Sequence, residues 1–171
     1  MKHIAFFVGI AAVIIYLLGY QQKKRKNIII FNATSRALYI LQYIMLSAFE
    51  GAVLDVAGIV SSVLAQKKDK PWVKKHLKTV FVIVNILIIA MGLWLYENVY
   101  SLLPIVGVLL HTGAFWITDE KTIRRISFLG SPFWLVYNLV SSAYGSCIGD
   151  ILSMISIGIS MVRYDLKKKE K

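Results

Sequence analysis

The chain carries one cysteine, three prolines and nine acidic residues in 171 positions. A lone Cys147 excludes an internal disulfide framework and a cysteine-based zinc site. His3, His76 and His111 have no metal-ligand spacing among them, so no metal and no cofactor is expected. There is no Walker loop, no HExxH and no nucleophile elbow. No catalytic residue is therefore assigned, and an enzyme is not expected. Charged residues make up 17% of the chain, where soluble domains usually carry about 25%.

Apolar residues fill the gap, at 57% of the chain with a mean hydropathy of +0.65. A soluble fold of this length could not hide so much apolar surface, so lipid is expected to be the solvent for much of it. The net charge of +11 does not point to nucleic acid, because the basic residues form short clusters between apolar stretches. The N-terminal apolar run, 3–20, ends without a small-x-small cleavage site, and its basic cluster follows it. It is expected to stay as a helix and not to be a removed leader.

A membrane-spanning helix needs about 20 mostly apolar residues. Seven stretches qualify: 3–20, 28–47, 49–66, 77–96, 100–118, 126–142 and 144–163. The second and third are joined at Ser47-Ala48-Phe49-Glu50-Gly51, and the last two at Ser141-Ser142-Ala143-Tyr144-Gly145. Each joined run is too long for one span, which predicts two tight hairpins. Of the 20 lysines and arginines, all but Lys2 and Arg36 fall in four segments on one side. These follow the first span, precede the fourth, precede the sixth and end the chain. By the positive-inside rule this predicts seven spans, with the N-terminus outside and the C-terminus in the cytoplasm.

Sliding the chain by 95 residues lays SAFEGAVLD (47–55) on SAYGSCIGD (142–150), and Lys26 on Lys121. The same offset lays 3–66 on 98–161. The expected architecture is an all-α integral membrane fold of two parallel three-helix bundles and a linker helix, 3+1+3. Residues 1–66 form the first bundle and 67–97 the linker loop and fourth helix. Residues 98–163 form the second bundle and 164–171 a basic cytoplasmic tail.

Ionisable and polar residues inside spans are the candidates for function. Arg36 lies near the middle of the second span, where it could bind a carboxylate or phosphate, or form a structural pair. Asp55 and Asp150 are equivalent under the offset. They could bind a cation or proton near the outer mouth, or simply favour a helix N-terminus close to headgroup water. Counting from the hairpin puts Asp55 about seven residues, or roughly 10 Å of rise, outward of Arg36. His111 is mid-span and could serve proton coupling or be a satisfied core histidine. Trp134 and Asn138 share a helix face and could stack on and hydrogen-bond a solute, or pack between helices. Pro104 and Pro132 are hinge candidates, since an interior proline frees a carbonyl.

The 3+1+3 pattern with Tyr144-Gly145-x4-Asp150, and Gln21-Gln22 before a basic run, resembles the SWEET, SemiSWEET and PQ-loop transporters. Tyr20 and Ile157 depart from that pattern. A likeness over nearly the whole chain is carried by QQKKRK (21–26), LLP (102–104), SPFWLVYNLVSSAYG (131–145) and ISIGISMVRYD (155–165). These are similar to the YgjV family of bacterial inner-membrane proteins. That resemblance implies a small polytopic protein of the cytoplasmic membrane. The expected function is transport of a small polar solute, by a facilitator or proton-linked carrier. The alternative is a non-transporting scaffold or accessory subunit. The expected partners are the lipid bilayer and the solute, not nucleic acid; self-association is left open.

Overall fold

The computed structural model describes residues 2–20 and 25–166. Gln21-Gln22-Lys23-Lys24 and the last residues of the basic tail, 167–171, lie outside the described residues. Every regular element among the described residues is helical: α1 (Lys2–Tyr20), α2 (Arg25–Met45), α3 (Phe49–Gln66), α4 (Pro71–Lys75), α5 (Leu77–Trp94), α6 (Leu102–Ala114), α7 (Glu120–Val140) and α8 (Tyr144–Met161). A 3-10 turn at Val99–Ser101 leads into α6, and a π turn at Val162–Leu166 extends α8. Each of the seven apolar stretches is thus a helix. The short α4 was not anticipated: Pro71 opens it at a position where the missing N–H costs no bond.

Three helical segments, Phe49–Gln66, Leu77–Trp94 and Tyr144–Asp165, are long and apolar enough to cross a membrane. Lys2–Leu18 and Val99–Ala114 are apolar but shorter. The fifth stretch stops at Ala114, short of the expected 118, because the chain turns through Phe115 and Trp116. In α2 and α7, both 21 residues long, polar side chains lower the mean hydropathy. Of those, Ser35, Arg36, Gln42, Ser131 and Asn138 face inward, while Phe7, Ile14, Ile83, Leu87, Leu129 and Ile159 point out. Arg36, Gln42, Glu50, Asp55 and Asn138 are buried. That distribution inverts the soluble pattern and fits a lipid-facing exterior.

The packing follows a ring, with α1 on α2, α2 on α3, α3 on α6, α6 on α7, α7 on α8, and α8 back on α1. α5 lies outside it against α3 and α6 and buries only Val84, Ile88 and Gly92. Glycine permits the α1–α8 seam. A Cβ on Gly145 would sit 2.8 Å from the Phe6 carbonyl oxygen and 2.9 Å from the Gly9 Cα.

Both hairpins end their first helix in the same way. Ser47 (φ 60°) and Ser142 (φ 58°) adopt the left-handed conformation. The Ala48 N–H donates to the Tyr43 carbonyl at 2.9 Å, and the Ala143 N–H to the Asn138 carbonyl at 2.8 Å. Ser47 and Ser142 donate to the Ile44 and Leu139 carbonyls. Each turn is a Schellman motif with serine where glycine is usual.

Candidate functional site

All six ring helices contribute side chains to one cavity of about 60 Å³. Its walls include Arg36, Asp55, His111, Trp134, Asn138 and Asp150, so the polar residues singled out from the sequence meet in one place. Such a volume holds a few water molecules.

Arg36 forms an ion pair with Asp55, Nη1 to Oδ1, and its Nε donates to Asn32 Oδ1 at 3.3 Å. Asp55 is only 4% exposed, with its carboxylate turned to Arg36. The direct pair departs from the expected offset of about seven residues. The tight Schellman turn shortens the hairpin. Arg36 then lies nine residues from the end of α2 and Asp55 six from the start of α3. The remaining difference is about 4.5 Å of rise, within the span of an arginine side chain. Gly58 makes room, since a Cβ there would lie 2.6 Å from Arg36 Nη1.

Asp150 has a different setting. Its Oδ2 accepts from Asn138 Nδ2 at 2.7 Å, and Asn138 Oδ1 accepts from the Tyr43 hydroxyl at 2.7 Å. Trp134 stacks on Tyr43 with ring centroids 6.3 Å apart and an interplanar angle of 20°. His111 Nε2 lies 3.0 Å from the Ser127 carbonyl oxygen and 3.4 Å from Ser131 Oγ. Pro132 is inside α7. Pro104 falls in the first turn of α6, where it breaks no intrahelical bond, so it carries less of the geometry expected of a hinge.

The hairpin end of the cavity is closed by polar contacts. Ser146 Oγ donates to Gln42 Oε1 at 2.6 Å, and the Gly51 N–H donates to the Tyr137 hydroxyl at 2.9 Å. Glu50, 8% exposed, accepts from Ser101 Oγ at 3.0 Å and from the Tyr137 hydroxyl at 3.4 Å. The opposite end is tied by Lys68 Nζ to the Ile117 carbonyl oxygen at 3.0 Å and by an Arg124–Asp165 ion pair.

Sequence reasoning missed Tyr16, Tyr39 and Tyr43, which also line the cavity. The signal was available. At the spacing of 95 residues that separates Tyr43 from Asn138, Tyr16 corresponds to His111 and Tyr39 to Trp134. Glu50 had no such pointer, because Gly145 stands at the corresponding place.

The sequence model of a family described as a bacterial inner membrane protein, Imp-YgjV, matches residues 3–168. The chain belongs to that family. No curated protein and no solved structure matches it.

Proposed function

We propose that this bacterial inner membrane protein is a non-enzymatic carrier, either a facilitator or proton-linked, for a small polar solute. The observation that carries the reading is the gathering of Arg36, Asp55, His111, Trp134, Asn138 and Asp150 around one cavity inside the helical ring. Buried ionisable groups in a membrane are costly and mark pathways by default.

The proposed architecture is seven spans in a 3+1+3 arrangement, with α5 as the linker and the N-terminus outside. Its support is positional. α2 and α7 share one length, as do α3 and α8, and their bounds differ throughout by the spacing of Tyr43 and Asn138. Gln42–Ser146 and Tyr137–Gly51 are the same contact made once in each direction between the two units. Orientation rests on charge, since Lys67, Lys68, Lys121, Arg124 and Arg163 cluster at the end away from the hairpins. Parallel repeats about an axis along the membrane normal are suited to rocking of one unit against the other. The cavity would be the site reached alternately, and the polar contacts at the hairpin end the barrier that must open.

Uptake of labelled small solutes by a deletion strain and its complemented counterpart tests this. Complementation should restore uptake of at least one solute, and Arg36→Ala should abolish it while the protein still reaches the membrane. The second reading, a scaffold or accessory subunit, is favoured by one observation: Arg36 and Asp150 already have partners within the chain. Co-purification with a stoichiometric partner and no uptake of any solute would establish it.

A further inference from the structure

The charged and titratable groups around the cavity, counted by partner, are unequal. Arg36 and Asp55 neutralise each other, and Arg36 is further engaged by Asn32. His111 has its Nε2 against the Ser127 carbonyl oxygen, the arrangement of an N–H donor. Asp150 receives only the neutral amide of Asn138. Among the described residues no cation pairs with it. Asp150 is half-buried in the cavity wall, and a partly desolvated carboxylate is favoured when a cation or proton neutralises it. The aromatic rings of Tyr39, Tyr43 and Trp134 line the same space. Aromatic walls beside a carboxylate are the chemistry that recognises an organic cation.

We propose that the cavity binds a small monovalent ammonium-type cation, with Asp150 as its counter-charge and Tyr39, Tyr43 and Trp134 as its walls. This names the substrate class of the site and rests on the carrier reading above only for what happens after binding. A volume of about 60 Å³ suits an occupant of a few heavy atoms. An anion is disfavoured because Arg36, the arginine on the described cavity wall, is already committed to Asp55.

The test is calorimetric titration of the purified full chain with methylammonium chloride, with sodium acetate and acetamide as anionic and neutral controls of similar size. Saturable binding of methylammonium alone is expected. Asp150→Asn should weaken it about ten- to a hundredfold, the loss of a charge-assisted hydrogen bond. If that variant does not accumulate, protection of Asp150 in the wild-type chain from a hydrophobic carbodiimide, read by peptide mass, replaces it. Methylammonium should then slow the modification. The proposal is overturned if methylammonium does not bind, if acetate or acetamide binds in its place, if Asp150→Asn binds unchanged, or if Asp150 is not protected. Proteoliposome uptake separates the two claims. Cation binding without uptake of any solute sinks the carrier reading alone, whereas uptake of a neutral solute without cation binding sinks this one alone.

Discussion

The Tyr43 hydroxyl donates to Asn138 Oδ1 at 2.7 Å, and these two residues stand at corresponding positions of α2 and α7, 95 residues apart. In the proposed 3+1+3 arrangement, corresponding residues that touch each other lie beside the axis relating the two units. In the proposed carrier, Tyr43 and Asn138 therefore mark the place where the units separate least during rocking. They also close the cavity beneath the two hairpins.

Removing this contact should cost little on one side and more on the other. Tyr43→Phe deletes a single interhelical hydrogen bond, worth about 0.6 kcal/mol on average in membranes and up to about 1.7. Asn138→Leu also strips Asp150 of its donor, so its loss should be larger. Unfolding of the single and double variants in mixed micelles, read as a double-mutant cycle, gives the coupling. A coupling near zero would contradict the shared bond, and equal costs for the two single variants would contradict the added bond from Asn138 to Asp150.

The Arg36–Asp55 pair predicts an asymmetry of another kind. Asp55→Leu leaves a buried arginine unpaired and should cost about 3–5 kcal/mol. Arg36→Met combined with Asp55→Leu removes both charges and should recover most of that loss. The level of folded protein in membranes, with unfolding in detergent, measures both. Recovery should not extend to uptake, because the double variant alters the cavity wall.

Gly58 carries a prediction that does not change any charge. A methyl group there would meet the Arg36 guanidinium, with Nη1 at 2.6 Å and Val108 Cγ2 at 3.3 Å. Gly58→Ala should displace the guanidinium from Asp55 and reduce uptake several-fold while the chain still inserts. Initial uptake rates per inserted protein are the readout, and an unchanged rate would mean that the ion pair is not part of the pathway.

The two hairpin serines should respond alike. Ser47 and Ser142 sit at positive φ, where a side chain is disfavoured by roughly 1–2 kcal/mol relative to glycine. Glycine also has more unfolded-state freedom to lose. Ser47→Gly and Ser142→Gly should each leave stability unchanged or raise it by up to about 1 kcal/mol, whereas valine at either position should lower it. Thermal melts of the four variants compare the two turns directly.

Asp119 provides a pH test outside the membrane-spanning segments. It caps α7, accepting from the Thr122 N–H at 2.8 Å, and hydrogen bonds from the Thr122 side chain and backbone hold its carboxyl below the ordinary carboxylate range. A group depressed on folding stabilises the fold above its unfolded value, about 3.9. That contribution is lost as the pH falls through the folded value. Asp119→Asn should flatten this part of the stability profile between about pH 4 and the acid limit and leave neutral stability nearly intact. Melting temperatures across that window decide it.

The sequence by itself determined what is written in composition and order along the chain. Runs of apolar residues specified the helices, and the breaks at Ser47-Ala48 and Ser142-Ala143 specified the tight turns. Family membership was legible in the same way, because it resides in residue order. Tertiary structure alone decided which faces meet. Hydropathy says that a helix prefers lipid but not how it is rotated, so the convergence of residues from six helices on one cavity could not be read from it. The partner of Arg36, Asp55 or Asp150, stayed open because a turn of three residues sets the relative height of α2 and α3, and counting along the chain cannot resolve a shift of one helical turn. Glu50 was missed because its partners, Ser101 and Tyr137, come from distant elements that only the packing of the ring brings beside it.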